Sequence, residues 1–103
     1  MLDETLGALA DPTRRAILGR LALGEARVTD LARPFPISLN SVSKHIRLLE
    51  RAGLVSRRIE GREHLLSIHP GSLDAVAAWI EDQRRLWAWR LDHLDEILKE
   101  ESP

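Results

Sequence analysis

The 103-residue sequence predicts a mainly α-helical fold with a β-hairpin near its middle and helices at both ends. Three observations predict it. Apolar residues recur at helical spacing up to Gly53, the period changes to alternation between Val55 and Ile68, and a long helical pattern resumes after Pro70-Gly71. Hydrophobic residues make up 44 % and charged residues 30 %, with 6 Gly and 5 Pro, so the chain can bury a core and disorder is excluded. The length suits one domain, 1–103, and is too short for a cofactor cleft between two lobes.

The first helix is read from Leu2, Leu6 and Leu9 and stops near Asp11-Pro12, because proline disfavours helical backbone in the residue before it. Asp11 is placed to cap a second helix with Pro12 at its first position, where the missing N–H costs nothing. Ile17, Leu18 and Leu21 point inward, and Gly24 ends this helix after about Leu23. Thr29 is expected to cap a short third helix through Leu31 and Ala32 to about Arg33, before Pro34-Phe35-Pro36 forces an extended turn. Ser38 caps a fourth helix that runs to Ala52, with Gly53 at the C′ position. Val55, Arg57 and Ile59 share a strand face answered by Leu66 and Ile68, so 54–69 reads as a hairpin whose Gly61-Arg62 loop suits a type II′ turn. Ser72 is placed to cap the final helix, 72–99. The third and fourth helices then form a helix-turn-helix, and the hairpin stands where a wing would, which makes the fold a winged helix-turn-helix.

The net charge is −1, but it is unevenly divided. Ser38 to His64 holds six basic and three acidic residues, whereas Gly71 to Pro103 holds four basic and eight acidic. Such asymmetry suits a basic working surface joined to an acidic element with another task. The absence of cysteine excludes a disulfide scaffold, a thiolate nucleophile, an iron–sulfur cluster and cysteine-based metal sensing. Met1-Leu2-Asp3-Glu4 lacks the basic-then-apolar run of a signal peptide, and no apolar stretch approaches the roughly 20 residues that cross a bilayer. A cytoplasmic address without a membrane partner is expected.

With Val42 at 0° and about 100° per residue, Ile46 and Leu49 fall near 40° and 340° and define the buried stripe of the fourth helix. Asn40, Lys44, Arg47 and Arg51 lie opposite, at roughly 140° to 200°, with Ser41 and Ser43 flanking them. These side chains suit a duplex: Arg pairs with guanine, Asn with adenine, and Ser and Lys with phosphates. The candidate DNA-binding residues are Ser38, Asn40, Ser41, Ser43, Lys44 and Arg47 on the helix, with Arg57, Arg58, Arg62 and His64 on the hairpin. Arg62, at the tip, is the best placed of the hairpin group. On the final helix, with Ile80 at 0°, Leu73, Val76, Ala77, Trp87, Leu91, Leu94 and Leu98 fall within about −40° to 60°, while Trp79, Leu86 and Ile97 lie near 240° to 260°. One stripe is expected to pack on the protomer and the other to meet a second copy. Leu2, Leu6, Leu9, Trp79, Leu86 and Trp87 are the candidate dimer-interface residues.

Three segments carry a family resemblance: Leu9-Ala10-Asp11-Pro12-Thr13-Arg14-Arg15-Ala16-Ile17-Leu18, the run from Val42 to Val55, and Glu60-Gly61-Arg62 before the second strand. In this order and spacing they resemble the ArsR-type (ArsR/SmtB) winged helix-turn-helix repressors over roughly Leu2 to Ile68. The tail, with Leu91-Asp92-His93-Leu94-Asp95-Glu96-Ile97-Leu98, is similar to a cysteine-free branch of that family. The resemblance implies a homodimeric transcriptional regulator that binds an inverted-repeat operator in double-stranded DNA, usually represses, and often releases DNA when an effector binds. It assigns the recognition helix to Ser38–Ala52 and the wing to Val55–Ile68.

The chain departs from the family at the metal sites. Metal-sensing members carry a cysteine pair in the third helix, where this chain has Thr29-Asp30-Leu31-Ala32-Arg33. Others place Asp and His ligands on the final helix, where Asp92, His93, Asp95 and Glu96 stand without a second histidine. No metal and no cofactor are expected. His45, His64, His69 and His93 each lack a second ligand at i+4 and read as packing or solvated residues. Ser43 and His45, two apart on a helix, do not face one another, and there is no glycine-rich phosphate loop, so no catalytic residue and no enzymatic activity are expected. The rival reading is a winged-helix protein interaction module without specific DNA contact. Apolar anchors in place of Asn40, Lys44 and Arg47 would mark it.

Overall fold

The computed structural model describes residues 2–101, in the order α1 (Leu2–Leu9), α2 (Pro12–Leu21), β1 (Ala26–Arg27), α3 (Val28–Ala32), α4 (Leu39–Arg51), β2 (Val55–Glu60), β3 (Glu63–Ile68) and α5 (Gly71–Glu101). Asp11 Oδ2 accepts a hydrogen bond from the Arg14 N–H at 3.0 Å and caps α2, with Pro12 at its start. That bond holds the Asp11 carboxyl below the ordinary carboxylate range. Two α2 arginines close the other end of α1: Arg14 donates to the carbonyls of Ala8 at 2.7 Å and Gly7 at 3.0 Å, and Arg15 to Leu9 at 2.7 Å. They satisfy orphan carbonyls that a capping glycine would otherwise serve.

Three boundaries differ from the sequence reading, each for a local reason. α2 ends at Leu21, not Leu23, because Leu23 is 84 % exposed and contributes nothing to the core. α3 begins at Val28, so Thr29 sits inside its first turn and is not the cap; the Asp30 carboxylate instead accepts from the Arg27 backbone N–H at 3.4 Å, and from Arg27 Nε at 3.1 Å. α5 begins at Gly71, and the Ser72 hydroxyl donates to Gly53 O at 3.3 Å instead of capping the helix. The sequence reading also omits β1, which joins the hairpin in the antiparallel order β1-β3-β2 with Ala26 opposite Leu66.

Other elements form as their residues dictate. Ser38 Oγ accepts from the Ser41 N–H at 3.1 Å and caps α4, and Gly53 at φ +75° turns the chain from α4 toward β2. Glu60 pairs with Glu63, which leaves Gly61-Arg62 as a two-residue loop. Gly61 has φ +60° and Arg62 does not have positive φ, so the turn is type II′ and not I′. Ile17, Leu21, Leu31, Val42, Ile46, Leu49, Leu54 and Leu66 form a fully buried centre.

α5 departs most from expectation. It lies against α1, and only its first turns reach the core, through buried Val76 and half-buried Leu73. The stripe that holds Leu73 and Val76 continues as exposed Ile80 (46 %), Trp87 (63 %), Leu91, Leu94 and Leu98, so most of it has no cover within the protomer. The reason is length: at 31 residues α5 outruns the domain and stretches the molecule to 75 Å.

Candidate nucleic-acid interface

α3 and α4 pack together as the helix-turn-helix, and α4 is anchored by Val42, Ile46 and Leu49, each 0 % exposed. Asn40, Lys44 and Arg47 face away from that stripe and are exposed. Among the described residues, none of these three side chains has an ion-pair or hydrogen-bond partner. Ser38 and Ser41 are tied to each other, Oγ to Oγ, at 3.0 Å, and Ser43 is half-buried beside them. His45 joins α4 to α2: Arg14 Nη1 donates to its Nδ1 at 3.2 Å, with Asp11 Oδ2 at 3.8 Å.

The wing sorts its basic residues into two kinds. Arg57 Nη2 and Nε donate to the Glu50 carboxylate at 2.7 Å and 3.2 Å, and Nη1 donates to His64 Nδ1 at 2.8 Å. Arg58 donates to Glu25 at 2.6 Å and also pairs with Glu60. Arg62 has no side-chain partner among the described residues and is exposed at the loop. The four residues therefore do not form the uniform basic ribbon that their spacing suggests.

Between α3, the start of α4 and the wing lies a cleft of about 370 Å³, lined by Arg27, Thr29, Leu39, Ser43, Arg62 and His64 among others. Arg27 was not a sequence candidate. It reaches the cleft through β1 and bridges Asp30 at 3.1 Å and Glu63 at 3.2 Å, and its hydrogen bond lowers the Asp30 carboxyl below its ordinary range. A two-residue strand has no period, so nothing in the sequence flagged it.

Of the candidate dimer residues, Leu9 packs against the protomer's own core, Leu2 and Leu6 are half-buried, and Trp79, Leu86 and Trp87 are exposed. Farther along α5, His93 Nδ1 donates to Trp89 O at 2.9 Å, and the two rings lie 3.8 Å apart. Asp92, Asp95 and Glu96 are exposed along the same helix, and no group of three His, Asp or Glu side chains among the described residues could hold a metal ion. No helix of the described residues is long and apolar enough to cross a membrane.

A helix-turn-helix domain model matches residues 9–58. The HTH-type transcriptional regulator Rv2034 of Mycobacterium tuberculosis is 37 % identical over 100 residues, covering 97 % of this chain and 91 % of the relative. The crystal structure of an ArsR family transcriptional regulator is 45 % identical with a TM-score of 0.81, over 84 % of this chain and 90 % of that one. The chain belongs to the ArsR family. Its fold also matches Mb0332 of Mycobacterium bovis, a homodimeric winged helix-turn-helix DNA-binding domain and possible ArsR-family regulator, at 30 % identity and a TM-score of 0.62, over 98 % of this chain and 84 % of that one. In this ArsR-family chain, α3–α4 is thus the helix-turn-helix, α4 the recognition helix and β2–β3 the wing of a DNA-binding transcriptional regulator without cysteine.

Proposed function

We propose that this ArsR-family chain is a homodimeric repressor that binds an inverted-repeat operator in double-stranded DNA, with α4 in the major groove and the wing along the backbone. One observation carries the reading: the exposed, unpaired Asn40, Lys44 and Arg47 stand back to back with the fully buried Val42, Ile46 and Leu49. A helix anchored in this way presents base-reading groups without first breaking internal bonds. Asn40 and Arg47 serve base edges, and Lys44 and Ser43 serve phosphates. A protein-docking module would fill this face with apolar anchors. Here the exposed leucines, Leu39 and Leu48, flank it instead.

Dimerisation is supported by α5. Past Val76, Trp79, Ile80, Leu86, Trp87, Leu91 and Leu94 are 42 % to 63 % exposed, more apolar surface than one small domain normally leaves uncovered. A second copy, with Leu2 and Leu6 of α1 contributing, covers it. Two-fold symmetry then sets the recognition helices about one duplex turn, roughly 34 Å, apart.

Selection of duplexes from a random pool, followed by footprinting on the protein's own upstream region, tests this. An inverted repeat should emerge, and Arg47→Ala or Asn40→Ala should cost about 1–3 kcal/mol on that site while relaxing its sequence preference. Equal losses on selected and random DNA would assign both residues to the backbone. A pool without enrichment would reject specific binding.

A further inference from the structure

The outer half of the wing has little to hold it. Val55, at the inner end of β2, is 5 % exposed, but Ile59 is 62 % exposed, and Glu60, Gly61, Arg62 and Glu63 are all exposed. A two-stranded ribbon without an apolar face to bury is weakly stable by itself. Among the described residues three ion pairs tie it to the rest of the domain, and one of them reaches α4.

Two of the ties are exposed. Arg58–Glu25 has side-chain exposures of 54 % and 40 %, and Arg27–Glu63 has 47 % and 55 %; ion pairs this solvated offset one another's charge but fix the angle of the wing only weakly. The third, Arg57–Glu50, has 25 % and 28 % and is bidentate, at 2.7 Å and 3.2 Å. A planar fork on a carboxylate fixes orientation as well as distance. His64 adds a third point by accepting from Arg57 Nη1 at 2.8 Å. Every nitrogen of the guanidinium is therefore engaged, and the group joins the last turn of α4 to both strands of the wing.

Glu50 has its own reason to be held. It is the one acidic residue in the α4 segment Leu39–Arg51, a helix that otherwise presents Lys44, Arg47 and Arg51. An unpaired carboxylate there would repel a phosphate backbone.

We propose that Arg57 is a positioning residue and not a DNA contact: clamped between Glu50 and His64, it fixes the wing against the recognition helix and so sets where Arg62 meets the duplex backbone. The proposal rests on the DNA-binding reading above, and its test keeps the two apart.

The probes are the duplex that the wild-type protein selects from a random pool and a random-sequence duplex, each titrated at several salt concentrations. Failure of the wild type to bind either duplex removes the DNA-binding reading itself. Where the wild type binds, Glu50→Gln is expected to lower the slope of log affinity against log salt by about one per protomer, as loss of the Arg62 contact would. Arg62→Ala added to Glu50→Gln should then lower it little further. The exchange of Glu50→Arg with Arg57→Glu rebuilds the pair in reverse and should restore the slope. If Arg57 instead touches a phosphate, Glu50→Gln frees it, binding tightens and the slope steepens, while the exchange places a carboxylate on the backbone and weakens binding. That result overturns the proposal, as does an unchanged slope in Glu50→Gln or an exchange that fails to restore it. Far-ultraviolet circular dichroism on each variant confirms that the fold is retained.

Discussion

Position in the hairpin already favours Arg62 over Arg58, and their surroundings separate the two further. Arg58 already holds Glu25 at 2.6 Å and Glu60, whereas Arg62 holds no partner among the described residues. Turning Arg58 to a phosphate would strand two carboxylates beside the DNA; turning Arg62 would strand none. Each phosphate contact contributes about 0.9 to the slope of log affinity against log salt, so Arg62→Ala in a two-fold dimer should lower that slope by about 1.8. Over a fourfold rise in salt, from roughly 50 to 200 mM, a slope change of that size is worth about twelvefold in affinity. Arg58→Ala should shift the slope by less than half as much. Fluorescence anisotropy with the labelled operator, at four or more salt concentrations, reads both values. Equal shifts for the two variants would refute the premise that internal pairing decides which wing arginine meets DNA, and an unchanged slope in Arg62→Ala would remove the loop from the interface.

Gly53→Ala forces a side chain into φ +75° and sets its Cβ 2.8 Å from Ser72 Oγ. The backbone term alone is about 1–2 kcal/mol, and each kcal/mol lowers Tm by roughly 4–8 °C in a domain of this size. Adding Ser72→Ala relieves only the contact, so most of the loss should persist; a variant melting with the wild type would contradict the strained turn. Replacing Trp79 and Leu86 together by Glu should yield helical monomers by light scattering and abolish tight operator binding, and a variant that stays dimeric would move the seam to Trp87, Leu91 and Leu94. Asp11 is lowered from its ordinary 3.8 by the Arg14 N–H it accepts, so its contribution is complete above the unfolded value and is lost as pH falls toward the lower folded value. Acid unfolding should therefore show the wild type losing stability relative to Asp11→Asn, which still caps but does not titrate, and parallel curves would count against this assignment.

Much of the fold was legible in the chain. The α4 stripe of Val42, Ile46 and Leu49, the Ser38 and Asp11 caps, and the Gly61-Arg62 loop stand as their spacing required, because each depends on residues within a turn or a strand pair. Asn40, Lys44 and Arg47 could be placed on one face for the same reason. The misses share another cause. Strand β1 exists only because Ala26 finds Leu66, and Ser72 leaves its expected cap for Gly53 O, 19 positions back. Apolar spacing marked the stripes of α5 but could not show that the domain ends near Val76 and leaves the rest of the helix without cover.

The basic residues divide along the same line. Sequence alone determined that this chain carries a helix-turn-helix with a basic outer face and a hairpin behind it, since amphipathic period and capping chemistry are written over a few neighbouring positions. Only the tertiary structure decided which arginines are free to use their charge. One of the two carboxylates that occupy Arg58 lies 33 positions away, the one that occupies Arg57 sits on another element, and the acids that flank the tip, Glu60 and Glu63, are taken by Arg58 and Arg27, which leaves Arg62 unpaired among the described residues.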